Sequence, residues 1–214
     1  MDKKDFQLFI EAGHTMVTPG KQSPDYPDGE LALKETFYCR ELVKCIEDRL
    51  IDEGIDFFDS TPSVKVKDSL IKRVEHVNYT WARLKELKRK KAALFVSVHC
   101  NASGDGSKWM DAKGWSIWTC KGVTQSDTAA TTIWEEANKI LPSLGQNVRK
   151  DYSDGDPDYE SDFYVLKHTK IPAVLTENMF QDNKEDVKFL LSEEGKQALV
   201  DIHINGIKKY IESL

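Results

Sequence analysis

Three short runs of continuous apolar character, at residues 8–10, 92–98 and 173–175, constrain this chain more than any other feature. Only Ser97 interrupts the second run. Each run is too short for a helix and is bounded by polar residues, Gly or Pro. Unbroken rather than alternating apolar character suits a strand whose sheet is covered on both faces. Helical periodicity fills the intervals. Over residues 35–50, Tyr38, Leu42, Cys45, Ile46 and Leu50 recur mostly at steps of three and four, and Asp52-Glu53-Gly54 closes the pattern. Residues 69–78 carry Leu70, Val74 and Val77, and the pattern continues as charged helix over 81–90. A start signal at Ser126-Asp127 opens a helix over 126–140 that stops before Pro142. The tail, 185–211, is amphipathic, broken near Gly195 and finished by Tyr210. Strands alternating with helices of this length make an α/β fold.

The 214 residues fit one domain, and 40% hydrophobic with 31% charged residues is globular composition. A net charge of -6 argues against nucleic acid and against anionic lipid as partners. No apolar leader with a small-residue cleavage site is visible, and no run approaches the roughly 20 apolar residues that cross a bilayer. The expectation is a soluble chain, cytoplasmic or exported by a route not encoded here. Cys39, Cys45, Cys100 and Cys120 have no close pairing and read as buried free thiols.

Each apolar run leads into chemistry. The first is followed by Glu11-Ala12-Gly13-His14, the second ends in Ser97-Val98-His99-Cys100-Asn101-Ala102, and the third runs into Thr176-Glu177-Asn178. In open α/β sheets ligands bind beyond the carboxyl ends of the strands. Two imidazoles and a carboxylate there would make a zinc site with room for a water. The carboxylate is open to choice. Glu177 could ligate, or it could act as a base beside a zinc held by His14, His99 and another acid. Glu35, at the end of the loop that follows His14, is a candidate for that acid. Each residue alone has a plainer reading, such as a hydrogen-bonded strand-end His or a first-turn acid facing the helix dipole.

Ile10-Glu11-Ala12-Gly13-His14, Pro19-Gly20-Lys21-Gln22-Ser23-Pro24, Glu35 with Arg40-Glu41-Leu42, and Ser69-Leu70 with Arg73 and Asn78 form an ordered series. Ser97-Val98-His99-Cys100-Asn101-Ala102, Gly114-Trp115-Ser116-Ile117-Trp118 and Phe163-Tyr164-Val165-Leu166 extend it. It closes with Pro172-Ala173-Val174-Leu175-Thr176-Glu177-Asn178-Met179-Phe180 and Asn183. In this order the chain resembles the zinc N-acetylmuramoyl-L-alanine amidases of the amidase-3 type, especially compact phage-like and bacterial members. The resemblance implies one catalytic domain over residues 1–214 with a mixed, mostly parallel six-stranded sheet and helices on both faces. It implies one Zn2+ held by His14, Glu35 and His99, Glu177 as catalytic acid/base, and bacterial peptidoglycan as substrate. Gly13-His14-Thr15 stands where the family usually has Gly-His-Gly, and Glu30 competes with Glu35 for the third ligand position. Rival readings are a zinc peptidase on ordinary peptides and a non-catalytic wall-binding module.

Other residues read as structural. His76 is expected in solvent, His168 in a turn, and His203 at the surface or in packing. Trp115 and Trp118 flank a strand and pack the core. Arg73 braces the fold against a carboxylate. The loop over 150–162 holds six acidic residues and reads as solvated, or as a border of the substrate groove.

Overall fold

The three apolar runs become three neighbouring parallel strands. The computed structural model describes residues 1–25, 33–63 and 69–214. Its strands are β1 (Phe6–Ala12), β2 (Phe57–Asp59), β3 (Ala92–Asn101), β4 (Ser116–Thr119), β5 (Tyr159–Glu160) and β6 (Ala173–Phe180). They form a six-stranded sheet in the order β2-β1-β3-β6-β4-β5. The first four strands in that order are parallel, while β4 runs antiparallel to β6 and pairs in parallel with β5. The mixed, mostly parallel α/β architecture is therefore as expected.

The helices are α1 (Glu35–Glu53), α2 (Leu70–Glu86), α3 (Gln125–Ile140), α4 (Tyr164–His168), α5 (Lys184–Leu191) and α6 (Glu193–Ser213). Two buried clusters divide them between the faces. Leu8, Ile10, Leu94, Val96 and Val174 pack with α1, α3, α5 and α6. Phe9, Phe95 and Leu175 pack with Val74 and Val77 of α2 and Val165 and Leu166 of α4. Successive strand residues point to opposite faces, so each strand feeds both clusters. Gly206 lets α6 approach α3, since a Cβ there would meet the Ile133 Cα at 2.5 Å.

Helix ends differ in detail from the sequence expectations. Gly54 closes α1 at φ 64, the left-handed position that glycine adopts without strain. Helix α3 starts earlier than its expected Ser126-Asp127 signal: Thr124 is the N-cap, and Asp127 completes the capping box. The tail breaks at Ser192, whose side chain caps Gly195, so Gly195 lies inside the first turn of α6. Trp115 is fully buried, and Trp118 stacks on Tyr159 with centroids 4.8 Å apart. His76 is exposed, as expected. His168 ends the short helix α4 instead of sitting in a turn. No described helix is long and apolar enough to cross a membrane.

Candidate metal centre

The face covered by α2 and α4 changes character along the strands. At the amino ends it presents Phe9, Ala93, Phe95 and Ala173; toward the carboxyl ends the same row presents Glu11, Ser97, His99 and Glu177. His99 and Glu177 are direct neighbours in the β3–β6 register. Gly13 continues β1, donating its backbone N–H to the Val98 carbonyl at 2.9 Å, and delivers His14 to the same rim. Helix α1 begins at this rim, which places Glu35 in its first turn beneath the two histidines.

The three side chains meet. His14 Nε2 lies 3.4 Å and His99 Nδ1 3.2 Å from Glu35 Oε1. The imidazoles stand edge to face with centroids 4.8 Å apart. One ligand atom from each residue lies within 4.8 Å of the others. Donors around a tetrahedral zinc, at bond lengths of about 2.0–2.1 Å, stand about 3.3 Å apart, so the two shorter spacings match that cluster. Two imidazoles and a carboxylate are also the donor set of an open zinc site. Glu35 is fully buried, and its Oε2 has no hydrogen-bond partner. Such an oxygen calls for a cation, and Lys21 Nζ stands off at 3.9 Å. These residues fit a single metal ion of the zinc type.

The electrostatics point the same way. Burial drives the His14 pKa down to about 3, against the opposing pull of Glu35, so the imidazole is neutral as ligation requires. Burial alone would also raise Glu35, but the hydrogen bond and charge of His99, then His14 and Lys21, hold it ionised below its ordinary value. At His99 burial opposes protonation, yet Glu35, joined by Glu177 and Glu11, raises the pKa. Glu35 therefore favours positive charge between the rings, which a divalent cation supplies. Glu177 is pushed up to about 7, first by burial and then by Glu35, against His99 and Lys21. A carboxyl poised there exchanges protons near neutrality.

Local structure holds these groups rigidly. His14 sits at φ 59, a left-handed position that costs a β-carbon residue about 1 kcal/mol or more. Arg40 fixes that turn, donating to the His14 carbonyl at 3.2 Å while spanning to the Thr36 and Pro62 carbonyls. Gly13 is there for space: a Cβ would lie 2.2–2.6 Å from three atoms of the His99 ring. The Cys100 N–H donates to Glu35 Oε1 at 3.1 Å. Behind His99, its Nε2 lies 3.1 Å from Ser97 Oγ, which donates to Glu11 Oε1 at 2.8 Å; Arg73 pairs with Glu11 at 3.2 Å. With Ser97 donating onward, its oxygen accepts from His99 Nε2–H and leaves Nδ1 free for the cation.

Below Glu177 runs a second polar line. His203 Nδ1 donates to the Leu199 carbonyl at 2.7 Å, and Nε2 accepts the Thr176 hydroxyl at 3.0 Å. Asn178 donates to Thr176 Oγ1 and to the His99 carbonyl, and accepts from the Trp115 indole at 3.0 Å. His203 is thus an internal packing residue. A cavity of about 440 Å3 opens over the centre, walled by Thr15, Lys21, Leu70, Arg73, Phe163 and Tyr164.

Sequence reading named His14, Glu35, His99 and Glu177, and the structure brings all four to one rim. Arg73 braces Glu11 as expected. Glu30 lies outside the described residues. Lys21, Glu11 and Ser97 carried no expected role, although all three stand in the ordered motifs. A carboxylate inside an otherwise apolar strand was the available signal for Glu11. Cys100 is buried 4.0 Å from Cys39, and burial pushes its thiol well above the ordinary range, which makes it an inert thiol.

The family model described as N-acetylmuramoyl-L-alanine amidase, amidase-3 type, matches residues 8–209. The chain belongs to this amidase family. It is 31% identical to the endolysin of Bacillus phage SPP1 over 205 residues, 95% of this chain and 65% of that one. The chain thus spans just under two thirds of that endolysin. It is 25% identical to the N-acetylmuramoyl-L-alanine amidase CwlM of Bacillus licheniformis, over 95% of this chain and 68% of CwlM. Among solved structures, an N-acetylmuramoyl-L-alanine amidase from Clostridium difficile 630 superposes with a TM-score of 0.74 at 20% identity, covering 98% of each chain. The AmiC2 amidase of Nostoc punctiforme gives 0.71 at 19% identity, over 97% of this chain and 98% of that one. These two likenesses show the amidase fold.

Proposed function

We propose that this chain hydrolyses the amide between the lactyl group of N-acetylmuramic acid and L-alanine in bacterial peptidoglycan, with residues 1–214 acting as one catalytic domain. His14, Glu35 and His99 hold one zinc ion, and Glu177 is the proton carrier. The observation that carries this reading is the meeting of two imidazoles and a buried carboxylate beside Glu177 at the floor of one cavity. A zinc ion bound there would supply polarisation of the scissile carbonyl and a water whose pKa falls from 15.7 to about 7. Glu177 takes the proton of the attacking water and returns it to the leaving alanine nitrogen, a transfer worth about 10²–10⁴ in rate. The amine is a poor leaving group until that proton arrives. Arg73, Glu11 and Ser97 hold the His99 ring in the ligating tautomer.

The test is digestion of purified peptidoglycan by the zinc-loaded protein, with mass spectrometry of the products. New L-alanine amino termini together with intact muramic acid are expected. Cleavage between amino acids, with the lactyl amide untouched, would make the chain a peptidase. Binding without turnover would make it a wall-binding module.

A further inference from the structure

The acidic loop read from sequence as solvated is not solvated throughout. Asp158, immediately before β5, is 2% exposed. Its Oδ2 accepts the Thr119 hydroxyl at 2.6 Å, while its Oδ1 is buried with no hydrogen-bond partner. Asp156 also has a buried, unpartnered Oδ1. Asp127, from the first turn of α3, joins them, and one oxygen from each of the three residues lies within 4.8 Å of the others. Among the described residues no lysine or arginine forms an ion pair with any of the three. None of them borders the cavity over His14 and His99.

Three carboxylates facing one another without a cation repel, and a buried unsatisfied carboxylate oxygen is costly to hold in place. The loop is nevertheless well tied. Ser161 N–H donates to the Thr119 carbonyl at 2.9 Å, and Gly122 N–H donates to Glu160 Oε1 at 2.7 Å. Asp127 keeps its capping hydrogen bond from the Thr124 N–H at 2.6 Å. The fold thus brings three carboxyl groups together where the first turn of α3 meets the loop ahead of β5. A proton or a metal cation can balance their charge. The donors are all oxygens, with no described imidazole or thiol among them, which selects a hard cation over zinc.

We propose that Asp127, Asp156 and Asp158 form a calcium site, separate from the zinc centre, that clips the acidic loop to the start of α3. Backbone carbonyls and water complete the six to eight oxygens that calcium takes. The loop leads within a few residues into Phe163 and Tyr164, which wall the cavity. The bound cation therefore fixes the base of that wall. This inference stands whether or not the amidase reading does. Burial, followed by a side-chain hydrogen bond with Asp156, raises the Asp158 carboxyl, so a proton shared between the two competes with the cation near neutral pH.

The experiment uses the zinc-loaded full chain in chelator-treated buffer and follows thermal unfolding with 0–5 mM calcium chloride, alongside calorimetric titration. Calcium should raise Tm by about 5 °C or more, with a saturable heat of binding. Asp158→Asn keeps an oxygen to accept the Thr119 hydroxyl and should abolish both effects. Asp156→Asn, at a partly exposed position, gives the same reading if the first variant does not fold. No shift in the unmodified chain at 5 mM calcium would overturn the proposal and leave a shared proton as the balancing charge. A shift retained in the folded variants would overturn it as well.

Discussion

The two faces of the sheet are built from the same three strands yet do opposite jobs. On the α1/α3/α6 side, Leu8, Ile10, Leu94, Val96 and Val98 continue the core to the carboxyl rim, under helices that leave little open. On the α2/α4 side the apolar row stops halfway, and Glu11, Ser97, His99 and Glu177 take over beneath a cavity. Alternation along a strand lets one residue stabilise the fold while its neighbour carries chemistry. The packed face holds the strands in register, and that register sets the spacing of the functional groups.

Substitutions on the two faces should separate cleanly. Glu177→Gln is expected to lose about 10²–10⁴ in turnover while zinc content and Tm stay near those of the parent. A comparable loss of stability would show that the α2/α4 rim also serves packing. Ile10→Ala, on the other face, should cost about 2–5 kcal/mol in urea unfolding while the folded fraction keeps its zinc. Zinc loss from well-folded Ile10→Ala protein would show that the faces are not independent.

His203 sharpens the comparison, because it places a polar group within the packed side. Burial holds its pKa down to about 4, below the ordinary 6.5. The unfolded chain therefore binds the extra proton first. The His203 contribution is present above about pH 6.5, falls as pH drops toward 4, and amounts to on the order of 3 kcal/mol. His203→Gln should lack this component, so its unfolding free energy should change less than the parent's between pH 6.5 and 4. Equal pH slopes would remove His203 from the account. The smallest effect is expected at Ser97→Ala, which releases the His99 ring from Glu11 and should weaken zinc binding by about 10–100-fold in a competition titration. Unchanged affinity would make the Ser97 contact incidental.

The sequence made the packed face legible because burial on both sides leaves unbroken apolar runs, and the edges of those runs marked His14, His99 and Glu177. Glu35 was harder. Nothing local distinguishes it from an ordinary first-turn acid; its place at the end of the loop after His14 made it a candidate, and the family pattern singled it out. The β2 and β5 strands, three and two residues long, are too short to show periodicity. The roles of Glu11, Ser97 and Asp158 depend on contacts across 86 residues for the first pair and 39 for Thr119 with Asp158, distances over which spacing says nothing. Asp158 in particular looked like one more solvated acid until the fold buried it.

The most direct measurement of the central claim is an anomalous-difference map at the zinc edge from crystals of the purified protein. One peak is expected, within about 2.0–2.2 Å of His14 Nε2, His99 Nδ1 and a Glu35 oxygen. A peak elsewhere, or zinc-replete protein with no density between those three side chains, would contradict it.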